Sequence, residues 1–389
     1  MYGLNVAVVG GGLGGLATAL ALRNAGHHPV VYEQTPEFRP VGAGISLWPN
    51  GVKVLNLLGL GEQLATLSGQ MEKMAYADAS GDPLTMFSLA PVYDTVGQRA
   101  WPVARAALQD LLVRAVGPER IRLGTRAVAV DSDAEAARVC FDDGSRVRAD
   151  LVVAADGTHS ILREWVVGRP VPGTYVGYVN YNTITACDDR ICPPHTWLTW
   201  VGDGQRASVM PVGGDSLYTF FDVPAPLEVA NAAERPAPID ELRKAFAGWA
   251  PAVQHLLGGL DAGRVNRVLI YDLPTLPTWH RGRVVLIGDA GHAMSPDLGQ
   301  GGCQALEDAL VLVHYLTSTN RSVPDALARY QQERLPRTAE IVRRARNRAA
   351  LIHGSDPPAT QAWYRSLRHE TGEDIIAGLV ESVASGPCR

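Results

Sequence analysis

Hydrophobic and polar positions fall into two textures along this chain. Residues 6–9 form a short valine-rich apolar run, the composition of a strand buried on both faces. Residues 10–15, mostly glycine, interrupt it. Leu16, Ala19, Leu20 and Leu22 then recur at helical spacing as far as Gly26, where a helix can stop. Residues 29–32 are again apolar and β-branched, so the chain start predicts a strand, a tight turn, a helix and a second, parallel strand. Residues 151–155 and 284–287 repeat the buried-strand texture. Each runs into a small-residue turn, Ala155-Asp156-Gly157 and Gly288-Asp289-Ala290.

Between about residues 175 and 268 the pattern becomes an aromatic-rich alternation, as at 197–201, 207–212 and 216–223. It predicts a mostly antiparallel sheet inserted into the parallel domain. Residues 225–238 read as a surface connection, and from Cys303 onward the spacing is largely helical. The stretch 330–351 carries Arg334, Arg337, Arg343, Arg344, Arg346 and Arg348 with Glu333 and Glu340 interleaved, which predicts a solvated, salt-bridged helix.

Composition narrows the partners. The 389 residues, 46% hydrophobic and 19% charged, suffice for about two globular domains. Lys and Arg number 35 against 40 Asp and Glu, a formal charge of −5, which argues against binding to nucleic acid or anionic membrane. Cys140, Cys187, Cys192, Cys303 and Cys388 form no CxxC pair and fit a reducing, cytoplasmic setting. No apolar run approaches the roughly 20 residues of a membrane span. The glycines after residue 9, with no basic residue before the apolar stretch, argue against a signal peptide. Nothing points to an obligate protein partner. No HExxH or clustered His/Asp/Glu spacing suggests a metal, and no GxSxG elbow is present. His292 is expected to buttress a turn.

Gly10-x-Gly12-x-x-Gly15 follows the first strand and opens the first helix. Gly10 permits the tight turn, Gly12 lets a pyrophosphate approach the backbone, and Gly15 lets helix and strand pack closely. The helix start at Leu13, Gly14 and Gly15 offers free N–H groups to the phosphates. Glu33 stands 21 residues after Gly12, where a carboxylate can accept from a ribose hydroxyl. Further on, Asp289 follows a strand end and can hold a ribityl hydroxyl. Gly299, Gln300, Gly301, Gly302 and Cys303 then present backbone N–H groups at a helix start, a nest suited to the anionic edge of a reduced flavin. A simple dehydrogenase needs only one nucleotide turn. Three on one sheet favour FAD over NAD.

GxGxxG, the DG motif at Asp156-Gly157 and the GD motif at Gly288-Asp289 stand in the order of the FAD-dependent aromatic hydroxylases of the para-hydroxybenzoate hydroxylase fold, and the chain resembles that family throughout. The fold expected is α/β, a FAD-binding Rossmann-like parallel-sheet domain with an inserted, mostly antiparallel β-sheet substrate domain and C-terminal helices. The expected division is 1–72, 99–175 and 269–330 for the FAD-binding domain, 73–98 and 176–268 for the substrate domain, and 331–389 for the helical segment. Segments 41–50 and 102–108 also look like the family's flavin contacts. By resemblance Arg105 reaches the phosphate and ribityl region, the backbones of Gln34, Ser46 and Ala127 line the cofactor, and Asp156 serves FAD and the transient NADH or NADPH in turn.

Within the family, segments 178–182, 201–211, 218–224 and 246–251, with 371–373 and 385–387, look like those of bacterial FAD-dependent urate hydroxylases. That resemblance assigns urate contacts to Asn180, Arg206 and Tyr218, with Pro296 closing the site and Arg206 and Tyr218 carrying the catalysis. It implies hydroxylation of urate at C5 to 5-hydroxyisourate with NAD(P)H and O₂ through a C4a-hydroperoxyflavin. Urate is a monoanion near neutral pH, and a buried guanidinium pairs with and orients such an anion. Arg206 also has an alternative as a structural partner of Asp203, Asp215 or Asp222, Tyr218 as a core tyrosine, and Asn180 alone carries little. Two other functions stay open, hydroxylation of a phenolic acid such as salicylate or 3-hydroxybenzoate, and a flavin-binding sensor that oxygenates nothing.

Overall fold

The computed structural model describes residues 3–38, 43–318, 322–384 and 386–387. Residues 41 and 42 of the 41–50 segment, Ser385 and Cys388 lie outside the described residues. The fold is the α/β arrangement expected, a six-stranded sheet joined to a seven-stranded one.

The six-stranded sheet runs His280–Arg281, Val284–Leu286, Leu151–Ala154, Asn5–Val9, His28–Tyr32, Ile121–Arg122. All its pairs are parallel except that of His280–Arg281 with Val284–Leu286. Its inner strands are buried on both faces because helices cover both, which is why they read as unbroken apolar runs. Val9, Ala154 and Leu286 are in register on adjacent strands. The three glycine turns that follow them therefore meet at one sheet edge, at the carboxyl ends of the strands, where open α/β sheets bind their ligands.

The seven-stranded sheet runs Asn266–Asp272, Thr174–Ala186, Ser216–Pro224, Gln205–Gly213, Thr196–Gly202, Lys73–Asp78, Pro83–Ser88. It is antiparallel apart from the pairing of Thr196–Gly202 with Lys73–Asp78. The expected boundary at 268/269 cuts the Asn266–Asp272 strand, which hydrogen-bonds to Thr174–Ala186 and so belongs to this sheet. Alternation divides its two faces. Tyr181, Trp200, Ala207, Val209 and Phe221 enter a core with Leu242, Phe246 and Val253. Asn180, Arg206, Ser208, Met210, Tyr218 and Phe220 lie on the other face, toward the glycine turns.

The Gly301–Thr317 helix packs on Leu13–Asn24, with Gly14 against Ala305. The 30-residue Val323–Ile352 helix crosses Gly301–Thr317. Its arginines are not uniformly solvated, as the sequence reading expected. Arg343 pairs with Glu340 at the surface, whereas Arg334 is fully enclosed, with Asp308 Oδ1 at 2.8 Å and Glu307 Oε2 at 2.5 Å. Arg337 reaches the same Glu307. The acids that neutralise Arg334 sit on another helix, so its own helix gives no sign of burial.

Candidate active site

A cavity of about 310 Å³ lies between the three glycine turns and the polar face of the seven-stranded sheet. A groove of about 540 Å³ shares Gly12 and Arg105 with it and continues past Glu33 and Phe38. Together they form an elongated hollow that begins at the sheet edge.

Each GxGxxG glycine is explained by its surroundings. Gly10 has φ +113°, and a Cβ there would lie 2.2 Å from the Ala155 carbonyl oxygen. A Cβ on Gly15 would lie 2.0 Å from the Gly10 oxygen, so these two let the chain turn and the helix close on it. A Cβ on Gly12 would meet nothing within 4 Å. The Leu13–Asn24 helix has no side-chain cap and no acid in its first turn, so its leading N–H groups face the cavity unopposed. The Gly301–Thr317 helix starts in the same way, with Gly299, Gly301 and Gly302 on the cavity wall.

Leu13, Gly14, Gly15, Ser46, Arg105 and Asp289 also line the cavity. Glu33 lines the groove, where its carboxylate accepts from the N–H groups of Gly11 at 2.7 Å and Thr35 at 2.8 Å. Several expected cofactor residues are placed otherwise. Asp156 is not on the wall: one oxygen accepts from the N–H groups of Ile161 and Leu162, capping the Leu162–Val167 helix, while burial pushes its carboxyl above the ordinary range. Its neighbours Ala155 and Gly157 are the lining residues. Gln34 is exposed, and Ala127 is paired with Phe141 in a small three-stranded sheet; neither meets the cavity or groove. The Gln300 amide bonds to Asn50 and Gln304. Cys303 points at Gly51, its thiol pushed up to about 12 by burial, so it has only a backbone to offer.

On the sheet side, register brings three strands together. Asn180, Asp222 and Arg206 are direct neighbours across the Thr174–Ala186, Ser216–Pro224 and Gln205–Gly213 strands. Asp222 Oδ2 lies 2.6 Å from both Nε and Nη2 of Arg206, and Nη2 is 3.0 Å from Asp297 Oδ1. Both carboxylates are fully buried. Arg206 Nη1 has no partner among the described residues, and the guanidinium carbon sits 5.2 Å from the centroid of the Phe220 ring. Burial disfavours the charged Arg206, but Asp222 and Asp297 outweigh it and the side chain stays a cation. Asp297 is held well below the carboxylate range, since Arg206 and the hydrogen bonds from His353 and Tyr178 overcome its burial. Asn180 donates to Asp222 at 2.7 Å and accepts from Asn182 at 2.6 Å, so its amide is tied to the neighbours of Arg206.

Tyr218 packs its ring over Gly44, where a Cβ would lie 2.4 Å from the ring. Burial raises its phenol above the ordinary range, so at neutral pH it is a donor. Pro296 begins a short turn on the wall, its carbonyl accepting from Gly299 N–H at 2.8 Å. Among the described residues no group of three or more His, Cys, Asp or Glu side chains suits a metal ion, and no helix is long and apolar enough to cross a membrane.

The FAD binding domain family matches residues 3–345. The FAD-dependent urate hydroxylase of Mycolicibacterium vanbaalenii is 47% identical over 387 residues, covering 99% of this chain and 98% of the relative. One from Klebsiella pneumoniae is 45% identical over 381 residues, covering 98% of each. The solved structure of Klebsiella pneumoniae HpxO complexed with FAD and uric acid superposes with a TM-score of 0.95 at 43% identity, over 99% of this chain and 98% of that one.

The chain belongs to the FAD-dependent urate hydroxylases. It is a flavin monooxygenase, with FAD as bound cofactor and NAD(P)H as reductant. The hollow fits that cofactor: two uncapped helix starts for its anionic parts, room for a Cβ at Gly12, and on its wall the buried Ser295 Oγ without a hydrogen-bond partner. Several residues of this urate hydroxylase escaped sequence reasoning. Asp297 and Arg163 follow Asp289 and Asp156 by fewer than ten residues, but nothing in their local pattern marks a role. Arg163 donates to the carbonyls of Thr158 and Ala290, tying the DG turn to the GD turn. His292, as expected, is a buttress: its Nε2 lies 2.7 Å from Asp308, which also accepts from Gly288 N–H. Trp197, Met210, Phe220 and Met294 form the apolar wall and carry no local signature.

Proposed function

We propose that this chain hydroxylates urate at C5 to 5-hydroxyisourate, with Arg206 holding the anion in the cavity. The observation that carries this reading is a buried guanidinium on the cavity wall, stacked near Phe220, whose Nη1 has no partner among the described residues. Bound FAD, reduced by NAD(P)H, supplies activated oxygen from O₂. The protein's part is to bind, orient and exclude water.

Arg206 Nη1 presents two N–H groups to the urate anion, while Asp222 and Asp297 fix the other side of the fork. Asn180 holds Asp222, so its effect on the substrate passes through Arg206. The Tyr218 hydroxyl donates to a urate oxygen rather than removing a proton, because its phenol is held neutral. Ile45, Trp197, Met210, Phe220 and Met294 shield the reacting carbon from water. On the cofactor side Gly12 to Gly15 and Arg105 take the pyrophosphate, Asp289 a ribityl hydroxyl, and the N–H groups of Gly301 and Gly302 the pyrimidine edge of the flavin.

The test is NADH and NADPH oxidation measured with urate, salicylate and 3-hydroxybenzoate in parallel with substrate consumption. Urate-stimulated oxidation coupled to urate loss is expected. Stimulation by a phenolic acid alone would move the substrate to that class, and no stimulation by any would remove the oxygenase reading.

A further inference from the structure

The urate reading asks Arg206 to attract an anion, yet its guanidinium already faces two buried carboxylates, Asp222 and Asp297. One positive charge against two negative ones leaves an excess of −1 beside the place the substrate anion would occupy. Something must offset the second carboxylate.

His353 is placed to do so. It caps the carboxyl end of the 30-residue Val323–Ile352 helix, where the helix carbonyls favour a cation. The ring is buried and stacked on Tyr178, centroids 3.9 Å apart. Its Nε2 lies 3.2 Å from Asp297 Oδ1 and its Nδ1 3.2 Å from the Gly204 carbonyl oxygen. Both are acceptors. A neutral imidazole has one N–H and satisfies one of them, whereas the imidazolium satisfies both. The other groups around the ring are few. Tyr178, on the Thr174–Ala186 strand, donates to Asp297 Oδ2 at 2.8 Å. Tyr364, on the Pro357–Leu367 helix, accepts from Gly204 N–H at 3.0 Å. Arg206 and Asp222 lie beyond Asp297 on their own strands.

We propose that His353 is a positioning residue that sets the charge of the urate site through Asp297, so that urate binding takes up a proton at His353. Protonated, it offsets the second carboxylate and leaves Arg206 to the anion. Deprotonated, it returns the excess negative charge and loses one of its two hydrogen bonds. The proton comes from solvent and goes back when the product leaves. The inference rests on the urate reading and deepens it.

The experiment is calorimetric titration of urate into the oxidised FAD-loaded enzyme, without NAD(P)H, in buffers of different ionisation enthalpy. Wild type is compared with His353→Gln and His353→Asn across about pH 6 to 9, the range that spans imidazole titration. Wild type should take up more protons per urate than either variant, by up to about one, and its affinity should fall toward tenfold per pH unit on the basic limb. The variants should lack that limb. Equal proton counts in all three, or a flat wild-type affinity, would overturn the proposal. If neither variant retains flavin, Asp297→Asn, which removes the carboxylate that His353 offsets, should abolish the wild-type limb; a limb that persists there, or is absent from wild type, overturns the proposal. Absence of any urate binding or urate-stimulated NAD(P)H oxidation in wild type overturns the urate reading and this inference with it; binding without the proton linkage overturns this inference only.

Discussion

Replacing Gly12 by alanine tests where the pyrophosphate sits without disturbing the protein around it. Gly12 has φ −74° and ψ 179°, a conformation any L residue adopts, and an added Cβ meets nothing within 4 Å. The cofactor-free protein should therefore be as stable as wild type, or more so by about 0.4–1 kcal/mol through the stiffer unfolded chain. With FAD present the methyl group occupies the space that the phosphates need. Overpacking of this kind costs about 1–3 kcal/mol, so the dissociation constant should rise about 5- to 150-fold. Gly15→Ala behaves oppositely. Its Cβ would stand 2.0 Å from the Gly10 carbonyl oxygen and 3.2 Å from Ala155 Cβ, and the closer atom is backbone that cannot swing away. A cost of about 3 kcal/mol or more should outweigh the roughly 1 kcal/mol gain in helix propensity. Thermal unfolding of the apoprotein and a flavin fluorescence titration read the two effects separately. Wild-type FAD affinity in Gly12→Ala would mean that the pyrophosphate lies elsewhere, and an undiminished melting temperature in Gly15→Ala would refute the packing argument.

The other expectations concern the substrate side and the buried charges. Arg206→Gln should keep its FAD absorbance while urate hydroxylation falls about 30-fold or more, the loss that corresponds to at least 2 kcal/mol, and NAD(P)H oxidation is diverted to peroxide; unchanged hydroxylation removes Arg206 from the mechanism. Gly44→Ala forces Tyr218 off its seat, since the new Cβ would fall 2.4 Å from the ring. The KM for urate should then rise about 2- to 10-fold, the worth of one hydrogen bond, with FAD affinity kept. Asp308 is buried, yet His292 and Arg334 hold its carboxyl below the ordinary range. A depressed carboxyl stabilises the fold above its unfolded value of about 3.9 and loses that contribution as pH falls toward the folded value. Asp308→Asn should therefore lower stability at neutral pH by about 3–5 kcal/mol and flatten its decline in acid, as followed by denaturant titration at several pH values.

What the sequence disclosed depended on how local each feature is. Gly10, Gly12 and Gly15 act within one turn and its helix, so spacing alone conveyed their separate duties. Strands at 196–202, 205–213 and 216–224 were legible from alternation, because one face is apolar and the other mixes polar residues with the aromatic and Met side chains of the cavity wall. The pairing of Arg206 with Asp222 was visible as one of three candidates, and sheet register selected it. Asp297 and His353 join the same cluster from 91 and 147 positions further along, a distance that only the packed fold closes. Arg334 misled for a similar reason: its helix looks solvated until Glu307 and Asp308 arrive from a neighbour. Ala127 and Gln34 were carried over by resemblance; Gln34 stands between the groove residues Glu33 and Thr35, and Ala127 opens a strand two residues after Thr125, whose N–H donates to the Glu33 carbonyl.

The two-sided character of the seven-stranded sheet bears on how its binding surface can be redesigned. Odd and even positions of a single strand answer to different physical demands, one toward a greasy layer shared with Phe246 and the other toward whatever molecule is to be gripped. Exchanging Met210 or Phe220 would reshape the chamber while the layer behind it stays as it is. A scaffold built in this manner can acquire new chemistry on one surface at little risk to its own integrity.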